Sequence, residues 1–412
     1  MRGGDRLPAI VMGRGPTALG IVRSLHEAGI PCYVACPPGD LVTYSRYYRP
    51  VPGTASWDGR PGDAAMEALR DLPLPRAVII AGADDAALWL ADLPASALGD
   101  RFLVSTPGRL VQELLQDKSM FAGYLAAAGI PHPRTFRIRR LADIDDIPLD
   151  ALDRVFLKPV NSQKFSDVTG VKGIWVNGRD ELRDAWIRLD AQGFRVMAQE
   201  YIPGPASEHY FVDGFRNRHG AYDGLFARRR LRMSPPDFGN SSCCESIPLD
   251  AVPEAVRHVR RLLDGVDYRG IFSAEFKHDA RDGQYRIIEV NTRAWTYVEF
   301  ATRSGVNVCE MAWQDAQELP VARAPRTYRD GVACVDLYHD IATLRASASR
   351  PSWPRVLAQW LRAELHVFRR DDPLPAWHFM RGLLRRRLAR SVGPAQGRGD
   401  VLEGASLGGD AK

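Results

Sequence analysis

The 412-residue sequence is poor in cysteine, and its six cysteines form neither a metal-binding pattern nor a redox pair. No C-x-x-C pair occurs. Cys32 and Cys36 stand four positions apart, and no second pair completes a zinc site. We therefore expect buried, chemically idle thiols in a reducing compartment.

Long hydrophobic runs and a strong charge imbalance are also lacking. No apolar run approaches the ~20 residues that span a bilayer, so no transmembrane segment is predicted. The N-terminus has no apolar h-region of a signal peptide, which makes a cytoplasmic protein the default expectation. The net charge of +5 is mild and gathers near the C-terminus, and nucleic acid is not expected as a partner.

The first hundred residues alternate strand-like and helix-like segments, which is typical of a small doubly wound α/β domain. The glycines of the first turn, at positions 13, 15 and 20, have the spacing G-x-G-x-x-x-x-G. A dinucleotide site would have G-x-G-x-x-G and an acidic residue after the next strand, which here ends at Cys36. A tight strand-to-helix turn is therefore favoured over a dinucleotide site.

The most informative segment is I-I-E-V-N-T-R, residues 287–293. On a strand, residues two apart share a face. One face is then predicted to carry Tyr285, Ile287, Glu289, Asn291 and Arg293. Ile288 and Val290 are predicted to lie on the opposite, buried face.

An upstream strand, residues 271–277, brings a second acid to this face. A three-residue loop at 281–283, with Gly283 in the left-handed conformation, predicts that Ala280 faces Gln284 and that Glu275 faces Glu289. Two adjacent carboxylates repel each other unless a proton or cation lies between them. With the amide oxygen of Asn291 they would form a hard-ligand set suited to Mg²⁺.

A solvated sheet face is the alternative interpretation of this acidic pair. Lys277 and Arg293 would then neutralise the acids in a surface ion-pair network. Three lysines favour the metal interpretation, because nucleotide phosphates would pair with each of them and complete the Mg²⁺ coordination. Lys158 lies in the apolar strand F-L-K-P, where an unpaired ammonium is costly. Simple surface exposure is the alternative for Lys118 and Lys172.

The order of these motifs resembles the ATP-grasp superfamily, which includes biotin carboxylase and D-alanine–D-alanine ligase. The resemblance covers roughly residues 103–317 and is carried by D-K at 117–118, K-P at 158–159, Q-E-Y-I-P-G at 199–204 and E-V-N-T-R at 289–293. Within the superfamily it is nearest to carboxylate–amine ligases that resemble D-aspartate ligase. It implies a combined α/β and α+β fold: an N-terminal Rossmann-like domain, a two-lobed ATP-grasp fold and a helical C-terminal tail.

Domain boundaries follow from this resemblance. We expect the N-terminal α/β domain at residues 1–105 and the small lobe with its linker at 106–196. The large lobe with the metal site is expected at 197–325. A helical, arginine-rich extension with a disordered end is expected at 326–412.

The resemblance implies a nucleotide site built from seven residues. Its phosphate ligands would be Lys118, Lys158 and Lys172. Adenine would be held, largely through backbone groups, by Gln199, Glu200 and Ile202. The ribose hydroxyls would be bound by Glu208.

The resemblance further implies a metal site and a catalytic cation. Two Mg²⁺ ions, with Mn²⁺ as an alternative, would be held by Glu275, Glu289 and Asn291. Arg293 would stabilise an acyl phosphate and the tetrahedral species derived from it. Arg230 and Arg232 alternate on a strand and are candidates for the substrate pocket, with solvated strand arginines as the alternative.

The expected activity is ATP-dependent ligation of a small-molecule carboxylate to an amine through an acyl phosphate. A nucleotide sensor of the same fold without turnover is one rival hypothesis. A surface-binding module that uses the arginine-rich segment at residues 381–390 is another. Snorkelling arginines on a packed helix are the simpler interpretation of that segment. Homodimer formation is left open.

Overall fold

The computed structural model describes residues 6–53, 57–152, 154–159, 173–235, 239–325, 327–347 and 351–382. These residues form three β-sheets with flanking helices, which agrees with the mixed α/β fold expected from the sequence. None of the described helices combines the length and the hydropathy that crossing a membrane requires.

The first sheet is parallel and is built from residues 9–103. Its strands and the helices between them are β1 (Ala9–Met12), α1 (Gly15–Glu27), β2 (Cys32–Ala35), α2 (Asp63–Asp71), β3 (Ala77–Ala81), α3 (Asp84–Leu90) and β4 (Phe102–Leu103). The strand order is β2-β1-β3-β4, with every pair parallel. The strands are almost wholly buried, as expected for a parallel sheet covered on both faces.

The turn between β1 and α1 supports the tight-turn interpretation of its glycines. Gly15 has a φ of +62°, and its N–H donates to both carboxylate oxygens of Asp40, at 2.9 and 3.0 Å. A Cβ on Gly13 would lie 3.0 Å from Gly82 Cα. An acidic side chain thus occupies the N-terminus of α1, where a dinucleotide would place its pyrophosphate.

The second sheet follows a pair of helices. The helices are α4 (Arg109–Gln116) and α5 (Lys118–Ala127). The sheet elements are β5 (Thr135–Arg137), β6 (Val155–Pro159), β7 (Ile174–Val176), α6 (Arg179–Ala191) and β8 (Val196–Glu200). The strands are antiparallel in the order β5-β8-β6-β7. Asp117 caps α5 by accepting from the N–H groups of Ser119 and Met120, each at 2.9 Å, which places Lys118 at the helix start.

The third sheet has seven strands and is mainly antiparallel. Its longer strands are β9 (His209–Arg216), β10 (Tyr222–Ser234), β11 (Asn240–Ile247), β12 (Gly270–Asp279) and β13 (Gln284–Asn291). Helices α7 (Pro253–Gly265), α8 (Val298–Ser304) and α9 (Val308–Ala316) accompany them. One face packs its apolar residues against α4, α5 and α7, where Phe272, Phe276 and Ile287 are fully buried. The opposite face carries the polar residues of interest.

The chain after residue 326 is not purely helical, contrary to the expectation. Strands β14 (Ala333–Val335) and β15 (Glu364–Leu365) extend the third sheet to the order β13-β12-β9-β10-β11-β14-β15. Helices α10 (Leu337–Ala346), α11 (Trp353–Arg362) and a helical segment at 374–382 complete this region. Strands of two and three residues are too short to produce a readable alternation in the sequence.

The C-terminal region is joined to the first sheet by a buried arginine. Arg23 on α1 donates to Asp372 at 3.1 Å, to Glu299 at 3.1 Å and to the carbonyl of Val367 at 3.0 Å. Its side chain is fully buried. The two ends of the described chain therefore pack together against one core.

Candidate active site

The β12–β13 hairpin places Glu275 directly opposite Glu289, which confirms the predicted pairing. The predicted register of the hairpin end is wrong. Asp279 pairs with Gln284, so the loop has four residues, and Gly283 adopts the expected left-handed conformation with a φ of 73°. A bulge between the Phe276–Ile287 pair and the Glu275–Glu289 pair then shifts the register by one residue, so that Glu275 still lies opposite Glu289.

The bulge also changes which residues share a face. Ile287 is fully buried in the helix-covered core with Val290, and Tyr285 packs against the same cluster. The prediction that Tyr285 and Ile287 lie beside Glu289 is therefore wrong. One inserted residue reverses the face of every residue beyond it, and the sequence pattern alone does not reveal the insertion.

The two facing acids have different surroundings. Glu275 Oε1 lies 2.7 Å from His209 Nδ1 and 3.1 Å from an Arg230 nitrogen, and its side chain is 13% exposed. Burial opposes ionisation, but the ion pair with Arg230 and the His209 contact hold the pKa of Glu275 well below its ordinary value. Within the described part of the chain, Glu289 has no hydrogen-bond or ion-pair partner. Of the two facing acids, only Glu275 is therefore paired with a described side chain.

Arg293 lies just beyond the end of β13 and contacts the first domain. Its Nε and Nη2 atoms lie 2.8 and 3.0 Å from the two carboxylate oxygens of Asp84, at the start of α3. Its Nη2 also donates to Asn291 Oδ1 at 3.3 Å. The predicted catalytic cation and the amide ligand are thus neighbours at the edge of the acidic face.

A cleft between the second and third sheets gathers the described lysines of the predicted nucleotide site. Its lining includes Lys118, Lys158, Gln199, Thr135 and Ile288. The half-buried Lys158 has its Nζ 4.8 Å from the ring centroid of Phe156, and Gln199 donates to Thr135 Oγ1 at 2.9 Å. Ile288 of this lining is the residue before Glu289 on β13. Lys172 lies outside the described residues.

Comparisons with known proteins point to one fold, although no protein-family model matches the chain. The biotin carboxylase–β,γ-ATP complex of Campylobacter jejuni superposes with a TM-score of 0.61 at 15% identity, over 79% of this chain and 74% of that one. The L-amino acid ligase of Bacillus licheniformis superposes with a TM-score of 0.55 at 15% identity, over 76% and 74%. The chain has the ATP-grasp fold.

A sequence relative agrees with this assignment. D-aspartate ligase of Enterococcus faecium is 22% identical over 213 residues, which cover 49% of this chain and 50% of that protein. The match thus spans about half the length of that relative. The predicted likeness to ATP-grasp ligases of this type is confirmed.

Glu200 and Ile202, which are predicted to hold adenine, are engaged with other parts of the protein. The buried carboxylate of Glu200 pairs with Arg134 at 3.2 Å and with Arg281 at 2.8 Å, and these contacts lower its pKa although burial opposes them. Ile202 is buried. Only backbone groups of Glu200 remain for a ligand, and an adenine contact through them stays a prediction.

Glu208, predicted to bind ribose, is paired with a histidine in this structure. His278 Nδ1 lies 3.0 Å from its Oε2. Nearby, Lys277 donates to the carbonyls of Gly204 and Pro205 at 2.8 and 3.0 Å. The ammonium group of Lys277 is thus engaged by backbone carbonyl groups.

The two arginines predicted for the substrate pocket are engaged with protein groups. Arg230 is buried, donates to Ser241 Oγ at 3.0 Å and pairs with Glu275. Arg232 makes two bonds of 2.7 Å to Asp340 of α10. Neither is a solvated strand arginine, and a direct substrate role for either stays a prediction.

Two residues of the site were missed by sequence reasoning. His209 contacts Glu275, and Asp84 holds Arg293. Asp84 carried a usable signal, because it follows β3 at its carboxyl end, where parallel sheets present site residues. His209 carried none, since its contact with Glu275 depends on the pairing of β9 with β12.

Proposed function

We propose that the protein is an ATP-dependent ligase that activates a small-molecule carboxylate as an acyl phosphate and joins it to an amine. The observation that carries the proposal is the cleft lined by Lys118 and Lys158, whose lining also includes Ile288, the residue before Glu289 on β13. Relatives named as D-aspartate ligase and L-amino acid ligase support the ligase class.

The nucleotide would lie in the cleft between the second and third sheets. Lys118 and Lys158 would pair with its phosphates, and Lys172 is proposed as a third phosphate ligand. Adenine would lie against Gln199 and the backbone of Glu200 and Ile202. Glu208 would reach the ribose after exchanging its contact with His278 for hydroxyl groups.

The donor set of the β12–β13 hairpin fits magnesium. Glu275, Glu289 and Asn291 offer carboxylate and amide oxygens, the ligands that Mg²⁺ prefers. Among the described residues, no group of three or more acidic, histidine or cysteine side chains could hold a metal ion. Phosphate oxygens and water would have to complete the coordination. When bound, Mg²⁺ would neutralise phosphate charge and let a carboxylate approach.

The reaction proceeds in two displacements. A carboxylate oxygen attacks the γ-phosphorus of ATP, the bond to the β-γ bridging oxygen breaks, and ADP leaves. The amine nitrogen then attacks the carbonyl carbon, phosphate departs, and the amine loses a proton. Arg293 stabilises the negative oxygens of both stages, and Asp84 and Asn291 orient its guanidinium.

An ADP-release assay tests the proposal. The purified full-length chain is incubated with Mg²⁺-ATP and pooled amino acids and other carboxylates, with and without pooled amines. We expect ADP and phosphate formation that requires a carboxylate and is accelerated by an amine. ATP binding without ADP formation in any pool would contradict the proposal and favour a nucleotide sensor.

A further inference from the structure

Helix α11 makes polar as well as apolar inward contacts and carries a row of apolar side chains that face outward. Trp360 Nε1 donates to Asp340 Oδ2 at 2.8 Å, and Gln359 Oε1 accepts from Arg232 at 2.8 Å. The outward stripe consists of Trp353, Leu357 and Leu361, which are 43%, 51% and 87% exposed. A spacing of four places these three side chains on one face.

The helical segment at 374–382 presents a second exposed apolar group. Phe379 packs on the core and His378 stacks on Tyr44 with ring centroids 3.7 Å apart, whereas Trp377 and Met380 are 66% and 52% exposed. Seven of the fourteen exposed large apolar side chains among the described residues lie between positions 353 and 380. Such a concentration marks an interaction surface.

Positive charge is concentrated in the same region. Residues 351–390 contain nine arginines and three acids, a net charge of +6, whereas the whole chain carries +5. Arg355, Arg362, Arg370 and Arg381 are exposed, and none has an ion pair with a described residue. The remainder of the chain is therefore slightly acidic, and the region after 351 is the cationic part.

We propose that α11 and the helical segment 374–382 dock on an anionic lipid bilayer. We call the exposed side chains of Trp353, Leu357, Leu361, Trp377 and Met380, with these four exposed arginines, the C-terminal surface. Tryptophan, leucine and arginine together are the composition of helices that lie in a membrane interface. Nucleic acid offers no partner for leucine and methionine, and a second copy would bring like charges together.

Vesicle sedimentation tests this surface with the full-length chain. Sucrose-loaded vesicles of phosphatidylcholine alone are compared with vesicles containing about one-third phosphatidylglycerol, at low and high salt. We expect sedimentation with the anionic vesicles that weakens as salt increases, and little with the neutral ones. No sedimentation with anionic vesicles, or equal binding to both, overturns the proposal.

Matched variants separate the surface from general hydrophobicity. Leu357→Ser/Leu361→Ser is expected to weaken vesicle binding by about tenfold or more, because two inserted leucines are lost. The control Leu110→Ser/Ile187→Ser removes two exposed apolar residues from α4 and α6 and should bind as wild type. Thermal unfolding verifies that both variants fold.

The charge is tested separately, and two rival partners are excluded in parallel. Arg355→Gln/Arg362→Gln should weaken binding to anionic vesicles and flatten its salt dependence. Wild-type binding by either C-terminal variant overturns the proposal. So does a concentration-dependent dimer lost in the leucine variant without vesicle binding, or preferential binding to duplex DNA.

Discussion

Glu275 and Glu289 face each other on the adjacent strands β12 and β13, yet substitution by glutamine should change the stability of the protein differently at the two positions. Glu275→Gln removes the charge partner of Arg230, which is 5% exposed and 3.1 Å away. Breaking a buried ion pair costs about 3–5 kcal/mol. A glutamine oxygen still accepts hydrogen bonds, so we expect a loss of about 2–3 kcal/mol in the free energy of unfolding.

Glu289→Gln should leave stability within about 0.5 kcal/mol of wild type, because no described group pairs with this carboxylate. A small gain is consistent with relief of its repulsion from Glu275. Both variants should lose at least ~100-fold in Mg²⁺-dependent ADP formation, because an amide is a poorer ligand for a hard dication.

Urea unfolding without ligands and ADP release with Mg²⁺-ATP measure the two effects on each variant. Glu67→Gln, at an exposed position of α2 without an ion pair to a described residue, is the control for the substitution itself and should change neither quantity. Equal stability losses in the two variants would refute the assignment of Arg230 as the partner of Glu275 alone. Normal turnover of Glu289→Gln would refute the metal site.

Three further predictions concern a phosphate ligand, a stabilising arginine and a buried histidine. Lys158→Ala should raise the Kd for Mg²⁺-ATP about tenfold or more in calorimetric titration, with an unchanged unfolding midpoint, because it removes a phosphate partner. Arg232→Ala should cost about 3 kcal/mol in urea unfolding but leave ATP affinity unchanged, since it strands the buried carboxylate of Asp340. Burial lowers the pKa of His366 to about 4, so below pH 6.5 this histidine binds a proton in the unfolded chain but stays neutral in the folded chain. The free energy of unfolding should fall by about 1.6 kcal/mol between pH 6.5 and 5, and by less in His366→Gln.

Local pattern was sufficient for much of the fold. Alternating residues at 271–277 and 287–291 predicted a hairpin with its acids on one face, and Gly283 marked its turn. The lysine in an apolar strand at 158 indicated a partner outside that strand. These inferences succeed because strand periodicity and turn conformations are properties of neighbouring residues.

The partners of the site residues were decided by tertiary structure. Arg230 and His209 reach Glu275 only because β9 lies between β10 and β12. Arg293, which follows β13 of the third sheet, contacts Asp84, which follows β3 of the first sheet and lies 209 positions earlier in the chain. No local periodicity encodes such contacts, since they follow from strand order and the packing of one sheet on another.

The sequence alone determined the kinds of elements in the first two-thirds of the chain, the acidic face and the clustering of positive charge near the C-terminus. Tertiary structure decided the bulge that turns Ile287 into the core, the two short strands after residue 332 and the ion pair between Glu275 and Arg230. Composition and periodicity are set by covalent order. The compensation of a charge depends on which distant groups the folded chain brings within a few ångströms.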